Sequence, residues 1–433
     1  MTKSGWNMKK LGDIAETTSG GTPDRKTPAF FGGSIPWVKS GELEDAFIYD
    51  TEEKITPDAL EHSAAKLFPS GTLLMAMYGA TVGKTAVLKI EAATNQAVCA
   101  IFPRAEEARI DFLRFALVYQ RPEILKLRYG GAQPNISQQI VRSLVIPLPP
   151  LAEQQKIAAA LGLVQQAAEQ QERLMALTEE LKKALMHKLF TEGLHGEPQK
   201  QTEIGLVPQS WVVEGLGGYL TEAQYGVSAR GSASGRYPML RMTNQHRGRI
   251  TADNLQYVEL TDEQFRRFRV EKRDILFNRT NSLDLVGRTA VFELEGDFAF
   301  ASYLIRLRAD ADRLRPLFLN HYFNWEETQI RLKSIATRAV SQSNISATRL
   351  RGFAIPVPQP DEQDEVVENI DRVEQKLLIH ERKHAALSGL FRTLLHQLMT
   401  GQMRTEDLAP PESGVRTQAH REAPRALRAA RRG

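Results

Sequence analysis

Cysteine and long apolar segments are almost absent from this sequence. The single cysteine, Cys99, excludes a disulfide framework and any zinc site made from a cysteine cluster, and it is typical of a reducing compartment. No run of about 18 apolar residues is present, and the first residues, MTKSGWNMKKLGD, contain no apolar core of a signal peptide. We therefore expect a cytoplasmic protein with no membrane contact.

An excess of charge of one sign is also lacking. The formal net charge is +4 over 433 residues, and residues 404–433 contribute +3 of it through seven arginines and four carboxylates. A chain of this length with 42% hydrophobic residues is expected to form two or three folded domains. If it binds a polyanion, its positive charge has to be concentrated on one face. The arginine-rich end after residue 403 is predicted to be disordered.

Recognisable catalytic motifs are lacking as well. The sequence has no Gly-x-Ser-x-Gly nucleophile motif, no Asn-Pro-Pro-type methyltransferase motif and no zinc-ligand spacing among its nine histidines. Residues 79–85 are similar to a nucleotide-binding P-loop, but three residues separate the glycines where that motif has four, and a strand-like segment follows. A tight turn between two strands, with Lys84 or Arg288 projecting from it, is the favoured interpretation. We expect a non-catalytic chain with no cofactor or metal site of its own.

The sequence does contain a long internal repeat. Asn135-Ile136-Ser137 recurs as Asn344-Ile345-Ser346, 209 residues later (344 − 135). The same spacing relates two Ile-Pro-x-Pro segments, and it relates Glu153-Gln154 to Glu362-Gln363. Upstream of these motifs the spacing changes by a few residues. Each repeat therefore has a front of variable length and a back of fixed length.

The back of each repeat is predicted to be one long helix. Residues 151–190 contain no proline, and the second helix is expected to follow Pro360 and to end near Met399. An alternating spacing of four and three residues defines an apolar seam on each helix, so the two should pair as antiparallel coiled-coil helices of roughly 60 Å. The seam positions are Ile157, Leu161, Val164, Leu185 and Leu189 on the first helix and Val366, Ile370, Val373, Leu377, Leu387, Phe391, Leu394 and Leu398 on the second.

The middle of each predicted seam is polar. Antiparallel pairing should bring Gln171 and Thr178 of the first helix near His380 and His384 of the second. The two histidines are spaced to share a metal ion, but their position on the seam favours a role in specifying the pairing.

The fronts are predicted to be α/β. The expected architecture is an α/β (α+β) fold with two globular domains, each a mixed β-sheet with helices, held apart by the two long helices and related by a pseudo-twofold internal repeat. Predicted strands are 35–39, 72–77, 85–88 and 97–102 in the first front and 237–242, 274–277, 289–292 and 303–307 in the second, with helices at 110–119 and 317–332. The expected divisions are a first domain (1–150), a helix (151–192), a linker (193–208), a second domain (209–359), a helix (360–403) and a tail (404–433).

The stretch between residues 230 and 288 is suited to contact with a polyanion. It contains twelve arginines or lysines against seven carboxylates, with polar side chains between them. Arginine suits guanine and asparagine or glutamine suits adenine in the major groove, while lysine and arginine hold phosphates. The candidate DNA-binding residues in both fronts are Thr22, Lys26, Lys39, Ser40, Tyr78, Lys84, Gln133, Gln224, Arg230, Arg241, Thr243, Asn244, Asn278, Arg279, Arg288, Arg338 and Gln342.

A variable front, Asn-Ile-Ser, a strand ending in Ile-Pro-x-Pro, Glu-Gln and a long helix occur twice in this order. This arrangement resembles the specificity subunit of type I restriction–modification enzymes, and the resemblance covers about residues 6–403. It implies that each front is a target-recognition domain for one half of a split double-stranded DNA sequence, and that the helix pair fixes the unread gap.

The resemblance further implies other subunits. Two methyltransferase subunits, which bind S-adenosylmethionine, would dock on this chain, and two restriction and translocation subunits, which use ATP and magnesium, would then join. Three alternatives stay open at this stage. They are a recognition subunit that serves methylation only, a P-loop NTPase, and a coiled-coil scaffold that does not bind DNA.

Overall fold

The chain forms two compact units. The computed structural model describes residues 5–128, 135–338, 342–406 and 408. One unit combines residues 1–170 with 383–433, and the other consists of residues 171–382. The boundary divides each long helix near its middle, whereas the divisions expected from the sequence treat each helix as a separate segment. Below, the first and second modules are the parts of the first and second units that lie outside the long helices.

The first module contains a five-stranded and a four-stranded sheet. Three antiparallel pairings and a final parallel one join the strands of the larger sheet. In spatial order its strands are Ala15–Ser19, Val98–Pro103, Leu73–Ala76, Thr85–Leu88 and Ala46–Ile48, and those of the smaller sheet are Glu53–Ile55, Phe31–Val38, Ala92–Thr94 and Leu67–Phe68. Asn7–Lys10 pairs with Val145–Leu148, and the helices are Leu11–Ile14, Pro57–Glu61, Ile110–Lys126 and Gln138–Ser143.

The second module repeats this pattern. Its main sheet again begins with three antiparallel pairings followed by a parallel one. The order is Leu220–Tyr225, Leu304–Ala309, Ile275–Asn278, Thr289–Val291, Arg249–Ile250 and Gln245–His246. Two three-stranded sheets comprise Gln256–Val258, Tyr237–Leu240 and Ala299–Phe300, and Thr280–Asn281, Ser343–Asn344 and Thr337–Arg338. Val212–Gly215 pairs with Ala354–Val357, and the helices are Asp262–Phe268, Pro316–Asn324, Glu326–Ser334 and Ala347–Arg351.

Several details differ from the sequence-based expectations, and each module has more than the one sheet expected. The stretch expected to be a linker holds a hairpin, Gln199–Thr202 with Gly205–Pro208. The helix expected at 317–332 is two helices, because Trp325 has an extended backbone (φ −69°, ψ 138°) and separates them. Each predicted strand has a counterpart whose ends differ by at most a few residues.

The backs of the repeats are long helices, as predicted. The first long helix is Leu151–Glu192 and the second is Pro360–Met399. Proline suits the first helical position because its missing N–H has no intrahelical partner there. At 1.5 Å per residue each helix is roughly 60 Å long. None of the described helices is both long and apolar enough to cross a bilayer.

The helices contact each other in each unit. In the first unit, Ile157 and Leu161, near the start of the first long helix, share a core with Leu398, near the end of the second. In the second unit, Leu189, near the end of the first helix, shares a core with Val366, near the start of the second. Both contacts are those of an antiparallel pair, as predicted. None of the predicted seam residues is exposed: Ile157, Leu161, Leu189, Val366, Ile370, Leu377 and Leu398 are buried, and Val164, Leu185, Val373, Leu387, Phe391 and Leu394 are half-buried.

One of the polar contacts predicted for the middle of the seam, between Gln171 and His380, is present. His380 Nδ1 lies 2.9 Å from Oε1 of Gln171, and these residues occupy equivalent positions in the two repeats. Thr178 is buried, and its hydroxyl donates to the carbonyl of Leu174 at 2.6 Å. The histidine is therefore held by an amide across the seam, in agreement with a role in pairing.

Candidate functional site

The Glu-Gln motif fixes the first module to the start of the first long helix. The Trp6 indole N–H donates to Oε2 of Glu153 at 3.2 Å. The buried Gln154 side chain accepts from the Arg109 amide at 2.8 Å and donates to the carbonyls of Glu107 at 3.0 Å and Pro149 at 2.9 Å. One amide side chain thus satisfies three backbone groups at the junction between module and helix.

The second unit forms the same junction. The buried Trp211 donates to Oε2 of Glu362 at 3.0 Å. Gln363 accepts from the Arg315 amide at 2.7 Å and donates to the carbonyls of Arg313 and Pro358, both at 2.9 Å. The sequence revealed this motif as a repeat, but its role at the junction becomes visible only in three dimensions.

The Asn-Ile-Ser motif orders the same part of each module. Ser137 and Ser346 are N-caps of short helices, and their hydroxyls accept from the amides of Ile140 at 3.2 Å and Arg349 at 3.3 Å. The middle residue of each motif donates its backbone N–H at 2.9 Å, to Met77 in the first unit and to Arg279 in the second. The motif therefore lies beside two candidates, Tyr78 and Arg279.

The glycine-rich stretch of the first module is the turn that its sequence predicts. A short 3-10 turn, Gly79–Thr81, connects two antiparallel strands, and Gly83 has a left-handed backbone (φ +79°). The strand Thr85–Leu88 follows where a P-loop has a helix. Lys84 is half-buried and its ammonium lies 3.9 Å from Oε1 of Glu44. Nothing in this geometry supports nucleotide binding.

Other first-module candidates lie near this turn or have ionic partners. The Thr81 hydroxyl donates to the Ser40 carbonyl at 2.8 Å, so Ser40 lies against the turn. The Lys39 ammonium is 2.7 Å from Glu52 and 3.1 Å from Glu53, and hydrogen bonds to these two carboxylates raise the pKa of the lysine. Its charge is therefore largely balanced within the module. Thr22 hydrogen-bonds the Gln96 side chain, and Lys26 is exposed.

In the second module, the candidate residues of the turn Arg241–Asn244 differ in their exposure to solvent. Thr243 is exposed. Asn244 is fully buried; its Oδ1 accepts from the Arg241 amide at 2.9 Å and its Nδ2 donates to the Asp253 carbonyl at 2.7 Å. Arg241 donates through Nη2 to the Asn254 carbonyl at 2.8 Å. The Asn244 amide holds the turn and does not face solvent, contrary to the candidate role given to it.

Arg279 contacts two tyrosines that are not among the candidates, Tyr225 through its side chain and Tyr303 through its backbone. Its guanidinium carbon is 4.6 Å from the centre of the Tyr225 ring, and Nη1 donates to the Ser302 carbonyl at 3.1 Å. The Arg279 amide donates to the Tyr303 carbonyl at 3.0 Å. Tyr225 and Tyr303 are 39% and 48% exposed, so part of each side chain is accessible from solvent. The neighbouring Asn278 is buried, so its amide does not form part of this surface.

Gln224 belongs to a buried ionic network. Its Oε1 accepts from Nη2 of Arg306 at 2.6 Å, and the same nitrogen is 2.8 Å from Glu222. Arg306 is 3% exposed and Asp274 is 2% exposed, with Asp274 also 2.8 Å from Nε of Arg308. Gln224 is therefore occupied inside the module, again contrary to its candidate role.

The remaining candidates vary in exposure. Arg230, Arg288 and Gln342 are exposed. Gln133 and the Arg338 side chain lie outside the described residues, as does most of the arginine-rich tail.

A histidine and two carboxylates form the one group of possible metal ligands among the described residues. The ligand atoms of His321, Asp371 and Glu374 lie within 4.8 Å of one another. However, Lys182 Nζ is 2.6 Å from Glu374, and Arg249 Nη2 is 3.7 Å from Asp371. Because these cations already balance the two carboxylates, the group is an ion-pair network.

Comparison with known proteins agrees with the duplicated geometry. The family model described as the type I restriction modification DNA specificity domain matches residues 3–178 and 228–388. The MjaIX specificity subunit of a type I restriction enzyme from Methanocaldococcus jannaschii is 24% identical over 424 residues, covering 93% of this chain and 94% of that protein. The EcoKI specificity subunit from Escherichia coli is also 24% identical, over 78% of this chain and 75% of its own.

Solved structures show the same fold. The S subunit of a type I restriction–modification system from M. genitalium aligns with a TM-score of 0.62 at 16% identity, covering 92% of this chain and 96% of that one. A chain from work on complex assembly and conformational transition of the type I R-M system aligns with a TM-score of 0.55 at 18% identity, covering 93% and 100%. The family model matches well over half of the chain, in two stretches that follow the repeat, and the chain therefore belongs to the family of type I restriction–modification DNA specificity proteins.

Proposed function

We propose that this chain is the DNA-recognition subunit of a type I restriction–modification enzyme and that each module binds one half of a split target. One observation carries the proposal. The junction between module and long helix is built twice with the same Trp–Glu and Gln–backbone contacts. The exposed candidate residues of the two modules differ, with Lys26 in the first and Thr243 and Arg288 in the second. A duplicated attachment bearing two different surfaces is what the recognition of two different half-sites requires.

The contacts with bases are proposed to come from one surface in each module. The first recognition surface consists of Ser40, Tyr78 and Lys84 around the Gly79–Thr81 turn. The second recognition surface consists of Arg241, Thr243, Tyr225, Arg279 and Tyr303. Arginine forks donate to guanine edges, and exposed tyrosine rings pack against thymine methyl groups or sugars. The exposed Arg230, Arg288 and Lys26 are proposed to contact phosphates.

The chain itself is proposed to be non-catalytic and cytoplasmic, with domains divided as the sequence predicts. Its relatives are named as specificity subunits, and one structural relative comes from work on assembly of the whole system. Chemistry would come from two methyltransferase subunits, which bind S-adenosylmethionine, and from two restriction subunits, which use ATP and magnesium. The two long helices would keep the number of unread base pairs between the half-sites constant.

Selection from random duplexes tests the proposal. The full chain, assembled with its methyltransferase subunits, is used to enrich bound DNA in successive rounds. We expect two short conserved blocks separated by a fixed number of unconserved base pairs. Binding without sequence preference, or a single continuous block, would contradict the proposal. A control selection with the methyltransferase subunits alone measures any preference that they contribute.

A further inference from the structure

A strained arginine occupies the turn of a short hairpin in the second unit. Gln245–His246 pairs with Arg249–Ile250 across a two-residue turn, Arg247–Gly248. Both turn residues have positive φ, +47° for Arg247 and +76° for Gly248. Two-residue turns of this kind favour Asn-Gly or Gly-Gly, because residues with a larger side chain are strained there. An arginine at this position indicates that its side chain is needed for something other than the turn.

The Arg247 guanidinium contacts both long helices within the second unit. Its Nη2 lies 3.5 Å from Oε1 of Glu179 on the first long helix, and its Nη1 pairs with Glu381 on the second. Arg249, on the other strand of the hairpin, has Nη2 3.7 Å from Asp371 and 3.8 Å from Glu374 of the second helix. Two arginines of one hairpin therefore join the second module to carboxylates of both helices.

The other charged groups at this contact complete the network. Lys182 of the first long helix lies 2.6 Å from Glu374, and His321 of the second module lies 3.0 Å from Asp371. Glu293 of the module accepts from Arg249 at 3.0 Å. Four module side chains and both helices thus share one ionic contact outside the second recognition surface.

In the first unit the residue equivalent to Arg247 is Asp45, and it contacts the long helix by a different kind of interaction. Asp45 also has a left-handed backbone (φ +62°) and precedes the strand Ala46–Ile48, as Arg247 precedes Arg249–Ile250. Its carbonyl accepts from Gln165 of the first long helix at 3.0 Å, and its carboxylate pairs with Arg121 inside the module. At the equivalent position the first module thus reaches the helix by a neutral hydrogen bond, whereas the second does so by ion pairs.

We propose that Arg247 is a positioning residue that fixes the orientation of the second module on the helix pair, and thereby the gap length at which the second half-site is recognised. The inference rests on the proposed function. Ion pairs with exposed partners contribute little to folding and weaken in salt. The expected effect is therefore on gap selectivity and its salt dependence, with the base preference of each half-site unchanged.

Three variants distinguish the effect of the Arg247 guanidinium from the effect of the turn in which the residue lies. Arg247→Asn creates Asn-Gly, which favours the turn, while it removes the guanidinium. Arg247→Lys keeps the charge but loses the planar fork that can contact two carboxylates. Arg266→Asn makes the same charge change at an exposed arginine of the helix Asp262–Phe268, and it serves as the matched control.

The measurement is competition binding by the full chain assembled with its methyltransferase subunits. Duplexes carry the two selected half-sites at the selected gap or at a gap one base pair longer or shorter. Because phosphate contacts are common to these duplexes, they largely cancel in the affinity ratio. We expect Arg247→Asn to lower the ratio of affinity for the selected gap to affinity for an altered gap about tenfold, which is the sum of two weak ion pairs. Arg247→Lys should give a ratio between those of Arg247→Asn and the wild type. Arg266→Asn should leave the ratio unchanged. An unchanged ratio in Arg247→Asn would overturn the proposal.

Salt and hydrogen exchange give independent readouts. Raising sodium chloride should lower the gap ratio of the wild type more steeply than that of Arg247→Asn, which keeps the Arg249 ion pairs; equal salt dependence would count against an ionic contact of Arg247. Without DNA, amide exchange of residues 371–381 should be several-fold faster in Arg247→Asn than in Arg266→Asn. Equal exchange would overturn the positioning contact. If instead no split target is found for any variant while exchange responds as expected, the proposed function fails and the contact itself stands.

Discussion

The main sheets of the two modules share their strand pairing but differ in the side chains on one face. The residue opposite Leu74 in the first module is Ala100, and the residue opposite Leu276 in the second is Arg306. Phe102 of the first module, which packs against Phe68, corresponds to Arg308 of the second. Strand pairing is thus preserved, while positions on one face that are apolar in the first module carry an ionic network in the second.

The junctions with the long helices show the opposite behaviour. Trp6 and Trp211, Glu153 and Glu362, and Gln154 and Gln363 make matching contacts in the two units, although the modules around them differ. The comparison indicates that the attachment to the helices tolerates little change, because buried backbone groups there depend on one side chain. The face of the sheet tolerates either chemistry as long as its charges are paired.

The largest expected difference concerns the ionic network of the second module. Asp274→Ala removes the buried carboxylate that pairs with Arg308 and lies 3.8 Å from the buried Arg306, while Glu222 stays beside both arginines. Removing one partner of a buried ion pair costs about 3–5 kcal/mol of unfolding free energy. Thr72→Ala, at the equivalent position of the first module, should cost about 1 kcal/mol, since it removes one hydrogen bond to the Pro69 carbonyl. Urea unfolding with hydrogen exchange of each unit measures both losses of unfolding free energy; equal losses would remove the distinction between the two sheet faces.

A second pair of variants should give equal effects. Gln154→Ala and Gln363→Ala each leave one buried N–H and two carbonyls without a partner, so each should lower the unfolding free energy of its unit by about 2–3 kcal/mol. The exposed neighbours Gln155→Ala and Gln359→Ala serve as controls and should change it by less than about 0.5 kcal/mol. The same unfolding experiment checks this result, and a large inequality between the two junctions would contradict their equivalence.

A substitution at the recognition surface of one module should affect one half-site only. Arg279→Ala removes the guanidinium that lies on Tyr225 at the second recognition surface, and the cost should be about 1–3 kcal/mol of discrimination at one half-site. Selected duplexes should lose their consensus in that half and keep it in the other, while Arg266→Ala should change neither half. A uniform loss of affinity on all sequences would show instead that Arg279 contacts phosphate.

The smallest expected effect is at the junction tryptophans. Trp211 is fully buried and Trp6 is half-buried, so loss of the indole N–H leaves a less accessible carboxylate in the second unit. Trp211→Phe should cost about 2 kcal/mol and Trp6→Phe about 0.5 kcal/mol of unfolding free energy. Thermal unfolding of the two single variants gives this comparison, and the reverse order would show that solvent access does not set the difference.

Much of the fold could be predicted because the repeat, the prolines and the apolar spacing are local signals. The long helices, their antiparallel pairing and the contact between Gln171 and His380 all follow from register. The hairpin at 199–208 was missed because its residues are polar and its strands carry no alternating apolar pattern. The break at Trp325 was missed because no glycine or proline marks it.

The candidate site was harder to predict than the fold. Asn244 and Thr243 are neighbours with similar polarity, yet one is buried in a turn and the other is exposed. Lys39 resembles a free cation in sequence, but Glu52 and Glu53 balance it. Tyr225 and Tyr303 were overlooked because exposure of an aromatic residue depends on which sheet face is covered. Side-chain partners distant in sequence decide each of these cases.

Mapping of N6-methyladenine in DNA from cells that express the chain with its methyltransferase subunits tests the central claim most directly. Two modules with different surfaces on a common helix pair predict methylation at a motif of two unlike blocks and a constant gap. Methylation at one uninterrupted motif, or at two blocks whose spacing varies freely, would contradict the account.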